Sequence, residues 1–153
     1  MQVKLGCDLV DIKRVENLYK KLGDRFLDKF LTPFEKQFLK KKSNGEYLAN
    51  TIASFYAVKE AASKALGCGI SKECEFYDII IVRDIVGALG VFYSAKTTKI
   101  FNLKNNALTE DEILKRFKDI DLDYNDFMQF GYASVSVSHD GGMAMAVVSF
   151  IKD

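Results

Sequence analysis

The chain has 153 residues, 48% of them hydrophobic and 12% aromatic, enough to bury one core and too apolar for a disordered chain. Twenty-two basic against 21 acidic side chains leave a net charge of +1, which excludes an overall field for holding nucleic acid or an anionic membrane and makes electrostatic recognition local. Three cysteines, Cys7, Cys68 and Cys74, without a CxxC pair argue against a disulfide framework or zinc site, and the apolar runs are too short for a signal peptide or membrane span, so a soluble cytoplasmic protein is expected.

Val3, Leu5 and Cys7 alternate with Lys4, Gly6 and Asp8, a period of two that predicts a strand over residues 2–9 with Gly6 and Asp8 on one face. From Asp11 the spacing of Ile12, Val15, Leu18, Tyr19 and Leu22 predicts a helix that Gly23 interrupts or ends and that residues 26–31 resume. Thr32, Pro33 and Glu35 form a capping box with proline at the first helical position, predicting a helix to about Lys42, where Ser43-Asn44-Gly45 ends it. The next helix covers residues 51–66 and stops at Gly67. Residues 76–82 read as a buried strand, and residues 87–93 as a turn leading into a second one, whereas residues 95–107 fit neither period.

Thr109-Glu110-Asp111-Glu112 repeats the capping pattern and starts a helix to about Lys118, followed by an acidic loop with Asp119, Asp121, Asp123 and Asp126. Residues 132–138 and 143–151 are strands joined across His139-Asp140-Gly141-Gly142, a hairpin. No repeat or linker divides the chain. The expectation is a single domain over residues 1–153, α/β of the α+β type, with a mainly antiparallel sheet packed with helices.

The helix over residues 51–66 carries small apolar residues almost throughout, which suits close packing on a sheet. Its polar groups, Tyr56, Lys59, Glu60, Ser63 and Lys64, fall on one stripe at about 100° per residue, predicting one narrow edge turned to solvent or a cleft. Glu60 and Lys64 then either form an ordinary i,i+4 surface pair or face a ligand. Asp8 either caps the helix that follows its strand or serves the same ligand, with the side-chain-free Gly6 leaving room for it. Together Asp8, Glu60 and Lys64 suit a diphosphate site, because magnesium is held by one or two carboxylates and substrate phosphates while a lysine acts on those phosphates as a point charge.

Gly6-Cys7-Asp8-Leu9-Val10 with Arg14 downstream, residues 30–35 (FLTPFE), residues 57–69 (AVKEAASKALGCG) and Val135-Ser136-Val137-Ser138-His139 occur in that order. In this the chain resembles the holo-[acyl-carrier-protein] synthases, the short, single-domain 4'-phosphopantetheinyl transferases. The resemblance implies their fold and transfer of phosphopantetheine from coenzyme A to a serine of acyl carrier protein in fatty acid synthesis, with release of adenosine 3',5'-bisphosphate. By the same motifs it implies Mg2+ held by Asp8 and Glu60, coenzyme A phosphates contacted by Lys64 and His139, with Ser138 beside them. It further implies a homotrimer with active sites between subunits, where the strand bearing His139 faces a neighbour's metal site. From the residues alone His139 is equally a polar turn residue, and the hydroxyl-rich face of Ser136 and Ser138 is either a donor surface or merely solvated.

On a continuous helix Arg14, Lys21 and Arg25 form a basic stripe around Leu18, which is either solvated or, as the resemblance implies, the docking surface for an acidic carrier protein. Three departures stand out. Phe55 occupies a position that is commonly basic in the family, Gly87-Ala88-Leu89-Gly90 lacks the usual turn lysine, and residues 95–131 are longer than in short members, so that a helix from Thr109 covers the pocket or widens the trimer interface. The rival readings are a binding module for coenzyme A or carrier protein without transfer activity, and a transferase serving another carrier domain.

Overall fold

The computed structural model describes residues 1–39, 41–103, 110–117 and 131–152. Strand β1, Gln2–Asp11, leads into helix α1, Ile12–Leu22, whose first turn is capped by Asp11 accepting from the Arg14 amide at 3.0 Å. At Gly23 the backbone takes φ 59°, the left-handed region that glycine tolerates, and the chain restarts as the short α2, Asp24–Leu27. The expected resumption is therefore this single turn, and Arg25 lies on a different element from Arg14 and Lys21.

The Thr32–Glu35 capping box forms in both directions and starts α3, Pro33–Lys36. This helix ends well before Lys42, because Lys41 pairs with Tyr47 and the Lys42 amide donates to the Glu46 carbonyl at 2.6 Å, folding the segment into a small hairpin. The central helix α4, Ala49–Leu66, closes on Gly67 at φ 85°. Phe76–Asp78 is a 3-10 turn rather than the start of a strand, since Asp78 accepts from the Glu75 amide at 2.9 Å and tightens the backbone. Strands β2, Ile79–Arg83, and β3, Leu89–Tyr93, follow, then α5, Ala95–Ile100, and α6, Glu110–Arg116. The expected cap Thr109, the helix end at Lys118 and the loop with Asp119, Asp121, Asp123 and Asp126 lie outside the described residues.

Strands β4, Gly131–Asp140, and β5, Met143–Lys152, are longer than expected and meet at a two-residue turn, Gly141-Gly142, with both φ angles positive at 56° and 79°. The five strands form one antiparallel sheet in the order β1-β5-β4-β3-β2. Helix α4 lies across one face of this sheet, where Ala57, Ala61, Ala62 and Ala65 are buried and the Tyr93 hydroxyl donates to the Ala62 carbonyl at 2.9 Å. On the opposite face Val82, Phe92, Tyr132 and Phe117 form a second cluster just beyond α6. Arg116 pairs with the buried Asp84 at 3.4 Å, so α6 docks on the β2–β3 turn.

The apolar alternation of β1 runs opposite to simple expectation. Gly6, Asp8 and Val10 face α4, while Val3, Leu5 and Leu9 are 70%, 64% and 60% exposed. Met145 and Ile151 of the paired β5 are also largely exposed, which leaves this side of the sheet with a long apolar strip.

Candidate active site

Asp8 sits on the helix-facing side of β1, and Lys64 stands on the last turn of α4 opposite it. The Lys64 ammonium donates to Asp8 Oδ1 at 2.7 Å, with the Asp8 side chain 14% exposed and that of Lys64 49% exposed. This bond raises the Lys64 ammonium above the ordinary lysine value. Lys64 thus pairs across to the strand and not, as an i,i+4 surface pair would require, with Glu60 one turn earlier; among the described residues Asp8 is its only ion-pair partner within 4.0 Å.

Glu60 completes the group. Burial, and then the negative charge of Asp8, push its carboxyl above the ordinary carboxylate range, while a hydrogen bond from Tyr56 and the charge of Lys64 pull it down. Two carboxylates and one ammonium, far apart in the sequence, therefore share one half-buried place between β1 and α4. Tyr56, one turn before Glu60, is held edge-on by Phe30 at 5.2 Å and tilted against Phe76 at 5.8 Å, with Arg14 close enough to influence its hydroxyl. Sequence reasoning placed Tyr56 on the polar stripe without a role; its i,i+4 spacing to Glu60 was the available signal.

Gly6 has a different use from the one expected. A Cβ built there would lie 2.1 Å from the Ala61 carbonyl oxygen and 2.4 Å from the Ala65 amide nitrogen, so the missing side chain admits the backbone of α4, not a ligand. The stripe of α4 is also narrower than its periodicity predicts. Ser63 is buried and donates to the Glu60 carbonyl at 2.8 Å, and Lys59 is fully buried against Glu35. Phe55 is 1% exposed in the core, so this position faces away from the cleft and offers nothing to a phosphate.

Arg14 and Lys21 line a shallow groove on α1 with Asp11, Lys13, Asn17 and Leu18. Glu16 binds Lys13 at 3.0 Å and Lys20 at 3.3 Å on the neighbouring flank. Arg25 is exposed on α2, beyond the break at Gly23, and the continuous three-residue stripe does not form. His139 is exposed near the tip of β4, in register with Ala144 of β5 and, through it, Val10 of β1. One strand therefore separates it from β1, and no hydrogen bond or ion pair links it to Asp8, Glu60 or Lys64 among the described residues. Ser138 is exposed and in register with Met145, on the side of the sheet away from α4.

The model of the 4'-phosphopantetheinyl transferase superfamily matches residues 4–123. The chain is 42% identical to the holo-[acyl-carrier-protein] synthase of Campylobacter lari over 149 residues, 97% of this chain and 99% of that relative, and 35% identical to the one from Aliarcobacter butzleri over 94% of this chain and 93% of the relative. Among solved structures, the holo-[acyl-carrier-protein] synthase of Helicobacter pylori in complex with coenzyme A is similar at a TM-score of 0.69 and 33% identity, covering 94% of this chain and 96% of that one. The enzyme from Neisseria meningitidis gives a TM-score of 0.66 at 27% identity, covering 97% and 98%.

Proposed function

The chain belongs to the 4'-phosphopantetheinyl transferase superfamily, and from that premise we propose that it is a holo-[acyl-carrier-protein] synthase acting in fatty acid synthesis, all of residues 1–153 serving as one transferase domain. It moves 4'-phosphopantetheine from coenzyme A to a serine of apo acyl carrier protein and releases adenosine 3',5'-bisphosphate. The observation that carries this reading is the meeting of Asp8, Glu60 and Lys64 between β1 and α4.

The donor set fits magnesium. Burial, and then the neighbouring charge of Asp8, raise the Glu60 carboxyl, and a divalent cation held by both would offset the repulsion between them. Magnesium needs only one or two carboxylates, with waters and substrate phosphates in its remaining positions, so a third protein ligand is not required. Bound by Asp8 and Glu60, it would neutralise charge on the coenzyme A diphosphate and on the adenosine 5'-phosphate that leaves from it. Lys64, half exposed beside them, supplies a second positive charge to the same phosphates. The serine Oγ gives up its proton to solvent and forms its bond to the β-phosphorus as the bond from that phosphorus to the bridging oxygen breaks, the electron pair leaving on the 5'-phosphate of adenosine 3',5'-bisphosphate.

Chromatography of mixtures with coenzyme A and magnesium tests the reading. Adenosine 3',5'-bisphosphate is expected only when apo carrier protein is added, with a higher kcat/KM for free acyl carrier protein than for an excised peptidyl carrier domain. The opposite preference would remove the assignment to fatty acid synthesis.

Arg14 and Lys21 are the docking residues for the acidic carrier protein, joined by Arg25 from α2 beyond the break at Gly23. Reversing Arg14 to glutamate is expected to raise KM for the carrier protein about tenfold and to leave coenzyme A affinity within twofold, because rim charges act mainly on encounter. Equal losses for both substrates, measured by steady-state kinetics and calorimetry, would count against docking.

The working form is a homotrimer with active sites between subunits. The exposed strip of Val3, Leu5, Leu9, Met145 and Ile151 supports this reading, as does the strand that separates His139 and Ser138 from β1 within one chain; His139 and Ser138 then reach the coenzyme A bound by a neighbour. Leu5→Glu is expected to shift the mass in solution, by light scattering, from trimer to monomer and to abolish transfer. A trimer that survives this change would exclude the strip as the interface. No helix among the described residues is long and apolar enough to cross a membrane, and three free cysteines suit the cytoplasm, where we place the enzyme.

A further inference from the structure

Glu35 and Lys59 form an ion pair in which both side chains are 0% exposed. Lys59 Nζ donates to Glu35 Oε1 and to the Phe76 carbonyl, both at 2.8 Å. Glu35 Oε1 also accepts from the Thr32 amide at 2.9 Å, and Oε2 accepts from the Ile81 amide at 3.0 Å. The pair thus ties α4 to α3, to the 3-10 turn and to the backbone of β2. Nothing in the transfer chemistry uses it.

Stability alone is a weak reason for such a pair, since apolar side chains of similar volume commonly hold a core as well or better. What apolar contact lacks is direction. Five of the eleven buried side chains of α4 are alanines, small groups that resist rotation weakly, and the contact of Ala61 and Ala65 with Gly6 fixes chiefly how deeply the helix sits. Lys59 immediately precedes Glu60 and lies about 100° from it around the axis, so anchoring one azimuth sets the other.

We propose that Glu35 and Lys59 are positioning residues whose buried pair sets the rotation of α4 and thereby holds the Glu60 carboxylate toward Asp8. The role rests on the two-carboxylate cation site proposed above. It acts through Glu60, and neither residue touches substrate.

The test compares Mn2+ binding, followed by the loss of its free electron paramagnetic signal, in the parent protein, in Asp8→Asn and in the double variant Glu35→Leu/Lys59→Met. The double variant keeps an apolar filling but strips the Thr32 and Ile81 amides and the Phe76 carbonyl of their partners, so its thermal midpoint is expected to fall by several degrees while it still folds. Its Mn2+ affinity is expected to fall tenfold or more, with a matching loss of kcat and coenzyme A affinity changed less. Should the double variant not fold, Glu35→Gln, isosteric with the native side chain, is expected to weaken Mn2+ binding at least fivefold. Affinity within twofold of the parent in either folded variant overturns the positioning role and leaves the carboxylate site intact. A parent that binds no Mn2+, or binds it equally well as Asp8→Asn, overturns the site itself and the positioning role with it.

Discussion

Asp8→Ala and Glu60→Ala are each expected to lower transfer by at least about a hundredfold, roughly 3 kcal/mol of transition-state stabilisation, while the protein stays folded. The loss follows from what the two carboxylates do together. Neither is needed to support the core, since Asp8, though only 14% exposed, spends its carboxylate on the half-exposed Lys64, and Glu60 is only partly buried on α4. Each removal leaves one carboxylate where the proposed site has two, which halves the protein's negative charge at the cation and weakens its hold.

A carboxyl whose folded value is raised favours the folded state most at low pH, and that contribution is lost as pH rises from the ordinary glutamate range through the raised value. At neutral pH Glu60 is therefore a burden on the fold, and Glu60→Gln is expected to keep or raise the thermal midpoint while transfer is lost. A variant that loses activity and melts early in the same measurement would move Glu60 from the chemistry to the scaffold.

Gly6→Ala is expected to be among the most damaging substitutions of the smallest size. The new methyl group would meet the Ala61 carbonyl oxygen at 2.1 Å and the Ala65 amide nitrogen at 2.4 Å, both backbone atoms of a helix that cannot turn aside as a side chain would. Relief requires α4 to lift away from β1, opening the alanine-lined contact beneath it. Overpacking of this kind costs about 3 kcal/mol or more, which lowers the thermal midpoint by roughly 10 °C in a domain of this size. The same lift separates Glu60 and Lys64 from Asp8, so whatever folds should also bind coenzyme A and magnesium weakly. Calorimetric unfolding checks the first effect and titration with coenzyme A the second; a midpoint within about 2 °C of the parent would show that the helix accommodates the methyl group.

Much of this architecture is legible in the sequence because its signals are local. Capping at Thr32, the stop at Gly67 and the Gly141-Gly142 turn each depend on a few neighbouring residues and form where those residues predict, whereas the cap of α1 is Asp11 and not Asp8. What the sequence conceals is long-range. Lys59 looks like one more charge on a polar stripe, and Glu35 like half of a capping box; only the packing of α3 and β2 against α4 turns them into a buried pair. Gly6 reads as open space beside Asp8 because its neighbour in three dimensions is a helix more than fifty residues away along the chain. The alternation of β1 gives its period correctly but not which face meets the core, since the apolar set is left on the outside. The site itself divides along the same line. Glu60 and Lys64 are neighbours by helical spacing, whereas their meeting with Asp8 depends on how α4 lies on the sheet.

The intact mass of apo acyl carrier protein, after incubation with this enzyme, coenzyme A and magnesium, with and without a chelator, decides whether phosphopantetheine is transferred. A gain of one phosphopantetheine that the chelator prevents and added magnesium restores is expected. A carrier of unchanged mass, with coenzyme A bound to the enzyme, would contradict it.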